Sequence, residues 1–282
     1  SWQALAIDLE AYRDQVNHCF EEFLRDPEAE ADAHDHADGP DILSLWQMKA
    51  GEERWEQALT ELGFDRANDS YQDIMSLREQ RLFGSMSAEA RKRFDIFLPA
   101  LIQFVSETKS PSRTLNRMLN LVRSIMGRTV YFVLLYENLS ALKQLCLLCS
   151  ESPWVSEHIA KSPVILDELL DPRTLFHPPD KLELENELRQ QLLRIPEDDL
   201  EAQMICLRTF KQSHMLRVAA AEISGQLPLM KVSDYLTWLA ETLLGQSVNI
   251  AWRNLVHKHG LPQADPKGKT GKEKVSAEKT AQ

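Results

Sequence analysis

Cysteine and histidine give this 282-residue chain its widest range of possible chemistry. Cys146-x-x-Cys149 has the spacing of a redox pair or of half a zinc site. It lies inside the apolar run Leu145 to Cys149, and no second pair of ligands stands at a suitable distance along the chain. The expectation is two buried thiols acting as small hydrophobes, as free cysteines commonly do. With Cys19 and Cys206, that usage suits a reducing, cytoplasmic setting. His34-x-His36 sits beside Asp32 and Asp35, all potential metal ligands. Metal affinity needs held geometry, and these four fall in a stretch that nothing in the sequence holds still, so no metal site is expected. His214 is the remaining candidate, on the stripe Leu207, Phe210, His214, Val218, Ala221. A general base needs a nucleophile or a carboxylate beside it. None is placed with it along the chain, so His214 reads as a core histidine.

The usual catalytic signatures are missing. There is no Gly-rich phosphate loop, no Gly-x-Ser-x-Gly elbow and no His-Glu-x-x-His helix. Nor is there an Asp-x-Asp, the pairing that can hold Mg²⁺ against a nucleotide's phosphates. Asp167-Glu168 and Asp198-Asp199 read as helix-end charges facing solvent. On residues alone, the chain is a helical interaction or scaffold protein.

The elements that must position these residues are helices. Leu, Ala, Glu, Gln and Arg dominate and glycine numbers only 10; such side chains lose little freedom in a helix. The fold class read from this is all-α, a multi-helix array with an acidic mobile loop and a disordered C-terminal tail. Trp2 to Leu24 repeats apolar residues at helical spacing. Asp26 to Asp41 holds seven acidic residues and two prolines and supplies almost no large apolar group, so it forms the loop. Shorter helices follow to Phe83, with Trp46 and Trp55 as packing anchors. Ser87 caps the next helix, which Pro99 must kink or restart. Pro111-Ser112 opens another, and Gly127 closes it as a C-cap. Ser152-Pro153, Ser162-Pro163 and Asp171-Pro172 each set a capping residue before a proline at the first helical position, predicting successive short helices. A charged helix over Asp180 to Ile195 precedes two long ones, from Asp198 or Asp199 to about Gly225 and from Leu229 to His259. Asp265 to Gln282 is apolar-poor and reads as a tail.

The net charge of −11 argues against nucleic acid or an anionic membrane as partner, since both select cationic surfaces. The longest apolar run, Val130 to Tyr136, is too short to span a bilayer, and Ser1 to Glu10 lacks a signal-peptide profile.

Longer blocks carry a resemblance. Leu207 to Glu241, LRTFKQSHMLRVAAAEISGQLPLMKVSDYLTWLAE, resembles the bifunctional glutamine synthetase adenylyltransferase/adenylyl-removing enzymes. So do Tyr131 to Asn138, Leu145 to Trp154 and Leu166 to Pro172. These blocks lie in order between Thr114 and Gly260, and Ser1 to Thr108 is similar more loosely. The resemblance implies an enzyme that attaches AMP from ATP, with Mg²⁺, to a tyrosine of glutamine synthetase and removes it by phosphorolysis. It implies glutamine synthetase and the PII signal protein as partners. It further implies that this chain is an internal helical fragment preceding the second catalytic motif and inactive alone, because the family's Asp-x-Asp is absent. Residues 1–108 then correspond to the end of a helical linker or regulatory region, 109–264 to the helical lead-in of the adenylyltransferase unit, and 265–282 to a disordered tail. Arg208, Lys211 and Arg217 are the candidate nucleotide-binding cations of the most family-like block, with a solvated helix face as the alternative. No catalytic residue and no metal ligand carries over. The competing functional reading is an unrelated helical protein-interaction module.

Overall fold

The computed structural model describes residues 40–262, and every regular element among them is a helix. In chain order these are α1 (Ile42–Gln47), α2 (Glu52–Glu61), α3 (Ala67–Glu79), α4 (Arg81–Gly84) and α5 (Ala88–Ser106). Then come α6 (Pro111–Ile125), α7 (Thr129–Glu137), α8 (Leu139–Glu151), α9 (Pro153–Lys161) and a 3-10 helix, Pro163–Leu170. The series closes with α10 (Pro172–Phe176), α11 (Lys181–Leu192), α12 (Leu200–Ile223) and α13 (Leu229–His259). The all-α reading therefore holds. The sequence readings placed on Trp2 to Leu24, Cys19, His34, His36, most of Asp26 to Asp41 and the 265–282 tail lie outside the described residues.

Local chemistry explains most helix starts. Ser87 accepts from the Ala90 amide at 3.2 Å and opens α5. Asp180 and Glu183 form a reciprocal capping box on α11, and Asp199 accepts from the Ala202 amide at 2.9 Å to start α12. The three prolines at 153, 163 and 172 occupy first helical positions as expected, but only Asp171 caps with its side chain; Ser152 and Ser162 do not. The missing proline N–H needs no acceptor, so the fixed proline φ suffices to start those turns. The restart anticipated at Pro99 does not occur. α5 runs through it, held by Phe97, Leu98, Leu101 and Ile102, all fully buried around the proline. Gly127 follows α6 without a left-handed φ, whereas Gly225 (φ +73°) ends α12 in the conformation that a Cβ disfavours.

Two hydrophobic cores result. The first runs from Ile42 to Ala220 and is continuous across residue 108. Its centre is aromatic: Phe94 meets Phe83 and Phe132 edge-on at 5.4 Å, with Trp46 and Phe97 beside them. Trp46 and Trp55 anchor it as anticipated, at 2% and 0% exposure. Cys146 and Cys149 are both fully buried there. Burial pushes both thiols up, Cys149 to about 12. The second core is smaller: Leu184, Leu188, Phe210, Val218, Tyr235 and Leu239 join α11, α12 and α13. α12 serves both, giving Leu216 and Ala220 to the first core and Phe210 and Val218 to the second. No single helix among the described residues is long and apolar enough to cross a membrane; the apolar pair α7 and α8 is bent by 101°.

Candidate functional site

The helix that joins the two cores also carries the densest polar cluster. α12 presents His214 and Arg217 on adjacent parts of its inner surface, because three residues advance a helix by most of a turn. Arg217 Nε lies 2.6 Å from Glu168 Oε2 at the end of the 3-10 helix, and its Nη1 lies 3.4 Å from Glu187 Oε2 on α11. The same Glu187 oxygen stands 3.4 Å from His214 Nε2. On the other side of the imidazole, Nδ1 is 2.6 Å from the Tyr235 hydroxyl of α13. Phe210 packs against the ring at 4.1 Å between centroids. Glu168, Arg217, Glu187, His214 and Tyr235 thus tie four separate elements into one chain of charge and hydrogen bonds.

Burial sets the electrostatics. His214 is completely buried and Tyr235 is 2% exposed. Burial pushes the Tyr235 phenol up, so it stays protonated, and its hydroxyl shares a 2.6 Å hydrogen bond with His214 Nδ1 whose direction is set by the imidazole tautomer. Burial also penalises the Glu187 carboxylate, but the His214 and Arg217 contacts outweigh it and hold this carboxyl below its usual range. For Arg217 the desolvation cost is likewise outweighed, chiefly by the Glu168 hydrogen bond and charge, and its guanidinium is held more firmly charged. His214 Nε2 makes no hydrogen bond within the described residues and stands 3.4 Å from the Glu187 carboxylate. The order Tyr–His–Glu resembles a proton relay, packed against Phe210 and the second core and partly open to solvent at Glu187, which is 31% exposed. Its contacts tie the surrounding helices together.

Several sequence readings change here. Glu168 is not a solvent-facing helix-end charge: its side chain is 16% exposed and paired. His214 is a core histidine as read, but a carboxylate does stand beside it, brought from α11 by folding. The three candidate cations are not brought together. Arg208 and Lys211 share an exposed face of α12, while Arg217, nine residues from Arg208, points the opposite way. The solvated-face alternative therefore describes Arg208 and Lys211 and fails for Arg217, whose side chain is 13% exposed. Glu187 and Tyr235 had no distinguishing signal in sequence, since one looks like any charged-helix glutamate and the other like any core aromatic. Among the described residues, no group of three or more His, Cys, Asp or Glu assembles for a metal.

Residues 142–275, which contain the whole network, match the family model of glutamate-ammonia ligase adenylyltransferase. Over this stretch the chain is similar to that family. The wider chain is 44% identical over 262 residues to the bifunctional glutamine synthetase adenylyltransferase/adenylyl-removing enzyme of Pseudomonas putida, covering 93% of this chain and 27% of that protein. The enzymes of the same name from Pseudomonas aeruginosa (44% identity) and Hahella chejuensis (40%) align over the same shares. This chain therefore spans about a quarter of the length of these relatives.

Proposed function

We propose that this chain is a non-catalytic helical portion of an enzyme that controls glutamine synthetase by transferring AMP from ATP to a tyrosine and removing it by phosphorolysis. The observation that supports this is the Glu168–Arg217–Glu187–His214–Tyr235 network, which lies inside the family-matched stretch and clamps four elements together. Positioning of reacting groups is the larger part of phosphoryl-transfer catalysis, and a rigid helical frame supplies it. In this reading 1–108 serves as the end of a linker or regulatory region and 109–264 as the helical lead-in of the adenylyltransferase unit. Arg208 and Lys211 are the cations left free to face a nucleotide phosphate. Mg²⁺ and ATP belong to the complete active unit, glutamine synthetase and PII are the partners, and the cytoplasm is the setting. Neither nucleic acid nor membrane is a partner, in keeping with the acidic surface.

The test is direct. The purified chain, incubated with glutamine synthetase, labelled ATP and Mg²⁺, should leave the enzyme unlabelled. A chimera in which this chain replaces the matched stretch of the P. putida enzyme should label it. Labelling by the chain alone, or none by a folded chimera, would refute the reading.

A further inference from the structure

One face of α13 is apolar and uncovered. Leu244 (66% exposed), Val248 (65%), Trp252 (51%) and Leu255 (56%) recur with Ala251 at steps of three and four, on the side opposite the buried Tyr235, Thr242 and Ile250. At about 1.5 Å per residue the stripe is roughly 17 Å long. Trp252 also borders a groove of about 470 Å³ where α11 ends, lined by Leu193, Arg189, Gln246, Asn249 and Arg253. Leu193 is 77% exposed. Exposed apolar residues scattered singly are ordinary, but a contiguous stripe beside a groove marks an interface. Its charge is local too. From Leu244 to Pro262 the sequence holds Arg253, Lys258, His257 and His259 and no carboxylate, within a chain of net charge −11; Arg253 pairs with Glu197 of the same groove at 3.2 Å, which leaves Lys258 as the cation at the stripe's edge.

We propose that this stripe and groove are the docking face for the polypeptide that extends beyond this segment in the longer relatives, presenting an apolar surface rimmed by carboxylates. The family match runs through α13 to residue 275, and the relatives align over only 27% of their own length, so most of the polypeptide of each relative lies outside the matched stretch and is available to cover this face. The apolar stripe takes the buried centre of the interface, and Lys258 at its edge meets the rim. A second copy of this chain fits less well. Antiparallel self-pairing would use the same 17 Å stripe alone, short of the roughly 800 Å² per partner that stable complexes bury. The proposal rests on the reading that this chain stands in for the matched stretch of those enzymes.

The experiment is carbene footprinting of α13 in the full chain and in the P. putida chimera described above, with sedimentation of the chain and AMP transfer by the chimera measured in parallel. Labelling of Leu244, Val248 and Leu255 should fall on the order of tenfold in the chimera, the ratio of their present exposure to that of core residues. Equal labelling in a chimera that transfers AMP overturns the docking face and spares the functional reading. Protection in a chimera without transfer keeps the docking face and removes that reading. A chimera that does not fold removes both. Protection already present in the chain alone, with sedimentation as a dimer, gives the face to a second copy and overturns the proposal.

Discussion

Arg217→Leu is the most informative single change. The substitution keeps an aliphatic body on α12 and removes the cation that bridges Glu168 and Glu187, which are 16% and 31% exposed. Breaking a buried pair by deleting one partner costs roughly 3–5 kcal/mol, whereas exposed pairs give about 0–1 kcal/mol. Both carboxylates retain some water, so the expected loss lies below the buried range, at about 2–3 kcal/mol. Most of that loss is two carboxylates left unpaired in a partly dry seam, not the attraction itself. The assay is urea unfolding followed by circular dichroism, with Glu168→Gln and the double variant completing a cycle. A coupling of about 1.5–3 kcal/mol between 168 and 217 is expected, in the range of hydrogen bonds to charged groups. A loss under about 1 kcal/mol with no coupling would place Arg217 with the solvated surface charges and refute the clamp.

Tyr235→Phe removes the hydroxyl partner of His214 Nδ1 and should cost about 1–3 kcal/mol by the same unfolding assay, the penalty of a buried group left unpaired; a neutral result would mean the imidazole is satisfied elsewhere. Because the Glu187 carboxyl is held below its ordinary value of 4.5, its contribution is complete above that pH and is lost as pH falls through the lower folded value. Melting temperature should therefore drop on acidification below about pH 4.5, less steeply in Glu187→Gln; identical profiles would show that Glu187 contributes nothing. Cys146 and Cys149, fully buried with thiols pushed up by desolvation, should resist iodoacetamide at pH 8 until denaturant is added. Prompt modification in the native chain would contradict their place in the core.

How much was legible in the sequence follows from the range of the interactions. Helix boundaries depend on a few neighbouring residues, so Ser87, Asp180, Asp199 and the prolines at 111, 153, 163 and 172 announced them, and Leu229–His259 was read to the residue. The apolar stripe on α12 was legible for the same reason, since burial of one helix face follows from a local period. Pro99 marks where a restart was avoided: the helix continues through it, with buried side chains on both sides of the missing hydrogen bond. The network was beyond local reading. Its members lie at 168, 187, 214, 217 and 235 on four elements, and only the packing of α11, α12 and α13 brings them within 2.6–3.4 Å. Sequence spacing fixed that Arg208 and Lys211 share a face of α12 and that Arg217 opposes it. Which face would meet water and which would meet Glu168 was decided by tertiary structure, because a charge is stabilised by whatever dielectric and partner the fold places around it.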